Sequence, residues 1–365
     1  MKILLIGEYS NVHATLAEGL KAIGHSVTVV SNGDFWKNYP RDISLVRHPS
    51  KLGGIVYMAK LYSILPRLRG YDVVQLINPM FLEIKAERIF AIYRYLRKHN
   101  GKVFLGGYGM DWYWVNTCVN DKPLRYSDFN FGNELRSDVS AMKERADWTG
   151  TAKERLNRYI AEDCDGIITG LYEYWVCYNP AFPEKTTFIP FPIKPMHTRV
   201  ADGSTYPVRI FIGINKARSE YKGTDIMLRA AIDIKDKYPD KVEVIKAESV
   251  PFNEYRKLMD SSDIILDQLY SYTPAMNALL AMSKGIIVVG GGEKENYDIL
   301  NEKELRPIIN VEPSYDSVFK ALERLVTCPE AIPPLKRQSV EYIRKHHDYI
   351  KVARQYEKFY GTKKR

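Results

Sequence analysis

The chain contains no run of about 18 apolar residues, so no helix in it reads as a membrane span. Its opening, MKILLIGEYSN, has one lysine and only four consecutive apolar residues, which is short for the core of a signal peptide and suits a buried first strand. Cysteine is scarce. Cys118, Cys164, Cys177 and Cys328 are scattered with no CxxC pair, which excludes a zinc or disulfide framework and fits reduced thiols of a cytoplasmic protein. The dinucleotide fingerprint GxGxxG is missing from the first strand–helix loop, which argues against a nicotinamide site. Helix-turn-helix, RNP-like and zinc-finger patterns are also missing, so nucleic acid is not an expected partner despite a net charge of +9.

Apolar residues make up 45% of the 365 and charged residues 27%, the balance of a globular protein long enough for two domains. Tyrosine is abundant, at 26 residues, beside 53 lysines and arginines. A basic surface of this kind attracts phosphorylated ligands or anionic lipid. Apolar strand-like runs at 2–7, 26–30, 73–77, 103–105, 166–169 and 187–190 alternate with helical spacing at 12–23, 84–98 and 152–164. Such alternation predicts a parallel sheet covered on both faces. The Pro-rich passage 190–207 reads as a linker. A second series follows, with strands at 208–212, 242–245, 264–267, 286–289 and 308–310, and helices at 224–237, 252–261, 277–283 and 315–326. The tail from about Pro334 reads as one long basic helix bearing Tyr342, Tyr349, Tyr356, Phe359 and Tyr360. The expected fold class is therefore α/β with two doubly wound Rossmann-like domains facing a central cleft. The expected domains are 1–195, 206–334 and a closing helix 335–365. Sheets of this type bind ligands beyond the strand carboxyl ends. A two-domain transferase, an epimerase or a periplasmic-type binding protein would all suit it.

Four stretches carry candidate chemistry. In GEYSNVHATLAEGL, Tyr9, Asn11 and His13 lie between the first strand and helix, and the loop amides could take an anion. Asn11 could equally be a helix cap and His13 a surface residue. In FLGGYGMDWYWV, a strand ends in glycines and Asp111 follows among Tyr108, Trp112, Tyr113 and Trp114. A carboxylate beside aromatic faces suits sugar hydroxyls and ring C–H surfaces, with helix capping as the alternative. In FIGINKARSEYKGTDIMLRAA, Lys216, Arg218 and Lys222 precede a helix opening at Gly223-Thr224-Asp225. Cations at a strand end suit a diphosphate, with a solvated basic loop as the alternative. In SSDIILDQLYSYTPAMNALLAMSKGIIVVGG, Asp267 ends a strand and Tyr272, Thr273, Pro274, Ala275, Met276 and Asn277 lead into a helix. One DxD, Asp163 and Asp165, sits at a helix end, where capping suits it better than metal binding.

The last two stretches resemble the large retaining glycosyltransferase family with the GT-B fold, which includes many bacterial mannosyl- and glucosyltransferases. Residues 211–231 are similar to its G-R-x(n)-K-G-x-D-x-L-x-x-A region. Residues 261–291 are similar to its A-D-I-x-x-x-P-S…E-x7-E-A-M-A-x-G-x-P-V-V region. The likeness is strongest from 208 to 300, and looser in the first half, where Gly109 and Asp111 match a G-x-D. The resemblance implies a nucleoside-diphosphate sugar as donor, without cofactor or metal, its diphosphate gripped by Lys222 and by Lys216 or Arg218. It implies Asp111, Lys222 and Arg218 as catalytic residues, and Lys216, Arg218, Lys222, Asp267 and 272–277 as donor-binding residues. The acceptor side would use Tyr9, Asn11, His13, Tyr108 and Trp112. It also implies a glycan or lipid-linked acceptor, a role in cell-surface polysaccharide synthesis, and a closing helix that braces the first domain. The two acids of E-x7-E fall on Tyr272 and Leu280. Glu293 and Glu295 are candidates to supply the missing ribose carboxylate. The departure leaves two other functions open: a non-catalytic nucleotide-sugar-binding partner of another transferase, or a sugar-nucleotide epimerase. Residues 53–72 and 87–100 mix apolar residues with Lys60, Arg67, Arg69, Arg88, Arg94, Arg97 and Lys98, which makes the inner face of a membrane a candidate partner.

Overall fold

A computed structural model describes residues 1–196, 206–215, 219–248 and 250–362. In chain order the first strands are β1 (Lys2–Ile6), β2 (Ser26–Ser31), β3 (Ile43–Ser44), β4 (Val73–Leu76), β5 (Lys102–Gly107), β6 (Asn130–Phe131) and β7 (Glu134–Leu135). They are followed by β8 (Gly166–Thr169), β9 (Thr186–Phe188), β10 (Val208–Ile214), β11 (Val242–Glu248), β12 (Ile264–Leu266), β13 (Ile287–Gly290) and β14 (Ile309–Asn310). The fold has two compact units, each discontinuous in sequence. One comprises 1–121, 144–192 and 349–365, and the other 122–143 and 193–348. The expected domains were 1–195, 206–334 and a closing helix 335–365, with 122–143 inside the first. In the structure the stretch 122–143 instead belongs with the second unit.

The first unit is a seven-stranded sheet in the order β3-β2-β1-β4-β5-β8-β9. Every pair in it is parallel, for example Ile3 beside Val27 and Val73. Its central strands read as apolar runs (Ile3–Ile6, Val103–Leu105, and Val73–Leu76 apart from the buried Gln75) because helices bury both faces. Helix Tyr349–Tyr360 packs against helix Val12–Ala22, and Gly19 makes this approach possible. A Cβ at Gly19 would lie 2.3 Å from the Tyr349 carbonyl oxygen. Tyr356 and Tyr360 of that helix are fully buried, so these aromatics pack within the unit.

The second unit is a five-stranded parallel sheet in the order β11-β10-β12-β13-β14. Ile210, Ile212, Ile264, Leu266, Ile287 and Val289 form its core with Met227, Ile234, Leu322 and Val326 of the covering helices. The tail is not one long helix. Helix Ile332–Tyr342 runs into a π-helical turn, Ile343–His347, and stops at Asp348, which leaves helical geometry with φ −53° and ψ 123°. Three contacts lie at the break. The His347 carbonyl accepts from the Ile193 N–H at 2.7 Å, and the Glu302 carboxylate accepts from Lys345 at 2.9 Å and from His346 at 2.5 Å.

Candidate functional site

At the carboxyl edge of the second sheet, Asp267 directly follows the end of β12 at Leu266, and helix Met276–Ser283 begins beyond the loop. Asp267 is half-buried, and burial pushes its carboxyl up, a shift opposed by Lys222, the Gln268 amide and the Asn277 side chain. Asn277 also accepts from the Tyr255 hydroxyl at 3.1 Å, and the Tyr255 ring packs edge-on against Phe211 of β10. Lys222 reaches this corner through Gly223. That residue has φ 70°, and a Cβ on it would meet the Leu269 side chain at 2.7 Å, so glycine is required on both counts. The Lys222 carbonyl accepts from the Leu269 N–H at 3.0 Å, which locks the two loops together. Lys222, Asp267, Asn277 and Tyr255 thus form one polar cluster at the strand ends. Lys216 and Arg218 lie outside the described residues. Leu280 is half-buried one turn beyond Asn277 and brings no charge to the cluster.

Tyr272, Thr273 and Pro274 are buried, while Ala275 is half-buried and Met276 buried. Part of the cover comes from the first half of the chain. In KPLRYSDFNFGNELRSD, β6 and β7 form a hairpin across Gly132-Asn133. The Arg125 N–H donates to the Tyr272 hydroxyl at 2.7 Å, and its guanidinium lies over the Tyr272 ring. That guanidinium bridges Glu293 at 2.6 Å and Glu295 at 2.9 Å, and the Tyr126 hydroxyl donates to the other oxygen of Glu293 at 2.5 Å. Both Glu293 oxygens are therefore held, whereas Oε2 of Glu295 is buried without a hydrogen-bond partner. Burial lifts the Tyr272 phenol to about 12, against the opposing pull of Arg125. At the other end of the hairpin, Arg136 stacks over Tyr270 at 4.0 Å and donates to the carbonyls of Tyr221 and Glu220. Sequence reading missed this hairpin, although a Gly-Asn pair between short runs is a recognised hairpin signal.

In the first unit, Asp111 is fully buried. It caps the short helix Trp112–Asn116, accepting from the Trp114 N–H at 2.9 Å, and its second oxygen takes the Tyr178 hydroxyl at 2.6 Å. Burial raises its carboxyl to about 6 in spite of these donors. Both oxygens are thus committed inside the unit. His13 is also buried. Its Nδ1 is 2.8 Å from the Gly7 carbonyl and its Nε2 has no partner, and burial lowers its pKa to about 3, so the ring is neutral. The amides of His13 and Ala14 donate to the two oxygens of the Glu8 carboxyl group at 3.2 and 2.8 Å, so an own-chain side chain already takes up these N–H groups at the helix start. Asn11 occupies the cap position with φ 74° and makes no side-chain cap bond. Tyr108 is buried, its hydroxyl 2.5 Å from that of Tyr356. Trp112 is half-buried between Tyr113 and Arg158. Of the five acceptor-side residues, only Tyr9 lines the cavity of about 220 Å³ that opens at the ends of β1, β2 and β4. Asp163 and Asp165 are both paired with Arg97. Among the described residues no cluster of His, Cys, Asp and Glu has metal-binding geometry.

By sequence, neither a protein-family model nor a curated protein matches this chain. By structure, sucrose-phosphate synthase from Thermosynechococcus elongatus is similar over 99% of this chain and 98% of its own, with a TM-score of 0.59 at 13% identity. Anabaena HepE in complex with UDP-glucose is similar over 98% of both chains (TM-score 0.58, 12% identity). WaaG, a glycosyltransferase involved in lipopolysaccharide biosynthesis, is similar over 100% of both (0.55, 12%). The fold is GT-B. At these identities the likeness establishes the GT-B architecture, and the residues must argue the chemistry. The two parallel sheets, expected from the alternation of runs in the sequence, are the two Rossmann-like domains of that fold.

Proposed function

We propose that this chain is a glycosyltransferase that moves a sugar from a nucleoside-diphosphate donor, a UDP-sugar by analogy with HepE, to a glycan or lipid-linked acceptor. The reading extends to retention at the anomeric carbon, independence of metal, and a place in cell-surface polysaccharide synthesis at the inner face of the cytoplasmic membrane. The observation that carries it is the cluster of Lys222, Asp267, Asn277 and Tyr255 at the carboxyl ends of β10 and β12, where such sheets hold nucleotides. In the transfer, the bond from the anomeric carbon to the diphosphate oxygen breaks and its electron pair stays on phosphate. The acceptor oxygen bonds to that carbon, and its proton passes to the departing diphosphate oxygen. Lys222 stabilises the charge that develops on the leaving diphosphate. Glu295, whose Oε2 is unpartnered, accepts a donor hydroxyl in place of the acids absent at Tyr272 and Leu280. Asp111 holds the β5 loop in shape and touches no reacting atom.

A melting-temperature panel of nucleoside diphosphates and nucleotide sugars tests the reading, since a ligand that binds only the native state raises the midpoint. The expected result is a shift with UDP and a UDP-sugar that Lys222→Ala largely removes. A panel without any shift would sink it. A second reading, a non-catalytic nucleotide-sugar binder, is favoured by the hairpin held over Tyr272. It predicts the same shifts with no release of UDP in the presence of acceptor extracts.

A further inference from the structure

Glu295 lies in the first turn of helix Lys294–Ile299, which has only six residues. A helix this short does not hold itself in place and depends on its neighbours. Ahead of it, the Glu293 N–H donates to the Tyr272 carbonyl at 3.1 Å. Arg125 takes Oε1 of Glu295 at 2.9 Å and leaves Oε2 without a partner. The next residue, Asn296, is 3% exposed, and its Nδ2 donates to the Tyr342 hydroxyl at 3.1 Å. Tyr297 is buried too, its ring edge-on to Tyr342 with centroids 6.2 Å apart.

The same stretch of the tail grips the chain again just beyond the helix. The Glu302 N–H donates to the Tyr297 carbonyl at 2.8 Å, and the fully buried Glu302 side chain takes Lys345 and His346. Tyr342 ends helix Ile332–Tyr342 and is itself fully buried, its ring 5.1 Å from that of His346 and 5.5 Å from that of His347. Both grips therefore come from Tyr342 and the π-helical turn that follows it. Such turns are rare and recur at functional sites. Apolar packing of Tyr297 on Tyr342 would tolerate several arrangements of the helix, whereas a satisfied buried amide–phenol bond selects one. Successive side chains leave a helix about 100° apart. Fixing Asn296 inward thus fixes the direction in which Glu295 emerges.

We propose that Asn296 and Tyr342 are positioning residues for Glu295: the tail sets the rotation of helix Lys294–Ile299 about its axis, and with it the direction in which Oε2 meets a donor hydroxyl. The hydroxyl rests on the transfer reading above, whereas the strap from the tail to the helix does not.

The test titrates the full chain by calorimetry with UDP, 2′,3′-dideoxy-UDP and UDP-glucose. Glu295→Gln identifies the hydroxyl, because it shrinks either the preference for UDP over its dideoxy form or the preference for UDP-glucose over UDP. Tyr342→Phe removes one oxygen and keeps the ring. It should shrink that same preference about three- to tenfold, leave the other unchanged, and add nothing in the Glu295→Gln background. Asn296→Ala should do the same, so a Tyr342→Phe protein that fails to fold does not weaken the test. Equal loss of affinity for all three ligands, an undiminished effect in the Glu295→Gln background, or a Glu295→Gln protein with both preferences intact would overturn the proposal. Without ligand, hydrogen exchange at the amides of 296–302 should rise about tenfold in Tyr342→Phe. Unchanged exchange would remove the strap whatever the ligands show. Absence of UDP binding to the wild type sinks the transfer reading and the role of Glu295 with it. UDP binding without the shared loss sinks this inference alone.

Discussion

Asp111 and Glu8 show what burial does to a carboxyl whose oxygens are already engaged. Asp111 faces one N–H and one phenol, so Tyr178→Phe should leave a buried oxygen unsatisfied and cost roughly 1–3 kcal/mol, read by urea unfolding. Nucleotide-induced melting shifts should be unchanged. Glu8 is raised to about 8, mainly by desolvation. The folded state therefore holds a proton that the unfolded state has lost between the ordinary glutamate range and pH 8. By linkage, this group makes stability fall as pH rises through that window. In Glu8→Gln the slope from pH 5 to 8 should flatten, so the gap in Tm between wild type and variant narrows or reverses toward alkaline pH. A constant gap would remove Glu8 from the account. At the donor cluster, Lys222→Ala should weaken UDP binding roughly 10- to 100-fold, the loss expected for one charge-assisted contact. These residues differed in legibility. Lys222 and Asp267 could be read from motif position and strand ends. His13 and Tyr108 could not be placed, because nothing in GEYSNVHATL shows that the Glu8 carboxyl group occupies the helix start and that the imidazole turns inward onto Gly7, nor does FLGGYGM show Tyr108 meeting Tyr356 of the tail.

Among the elements, the strands and long helices were visible as apolar runs and 3.6-residue spacing, since both sheet faces are buried and each strand needs a continuous apolar run. The hairpin was not, because β6 and β7 have only two residues each and their docking is decided by contacts far away in sequence. Arg125 and Arg136 clamp it at two places about the loops that carry Lys222 and Tyr272. Arg125→Ala frees Glu295 and leaves Glu293 held by Tyr126 alone, so its effect should be on donor affinity more than on folding. Calorimetry should show weaker UDP-sugar binding, and unchanged Tm would separate this from a structural role. The tail divided where sequence showed one helix. The break depends on Ile193 and Glu302, neither of which is near it in the chain. Gly19→Val, by placing a branched side chain against the Tyr349 carbonyl, should destabilise the first unit by about 1–3 kcal/mol.

At the scale of the whole molecule, two parallel sheets with polar groups gathered at their carboxyl ends are what the alternation of runs anticipated, and the GT-B neighbours share that architecture over nearly all of the chain. The positive charge is uneven. The stretch between Asp42 and Asp72 carries no acid, while elsewhere cations such as Arg97, Arg125 and Lys336 are paired with carboxylates. The cluster at Lys222 and Asp267 is the proposed nucleotide-sugar site. Calorimetric titration of the full chain with UDP and a UDP-sugar, repeated with Lys222→Ala, tests this most directly. Saturable binding to the wild type, weakened at least tenfold in the variant, is the predicted result. Absence of binding to either ligand, or equal affinity in wild type and variant, would contradict it.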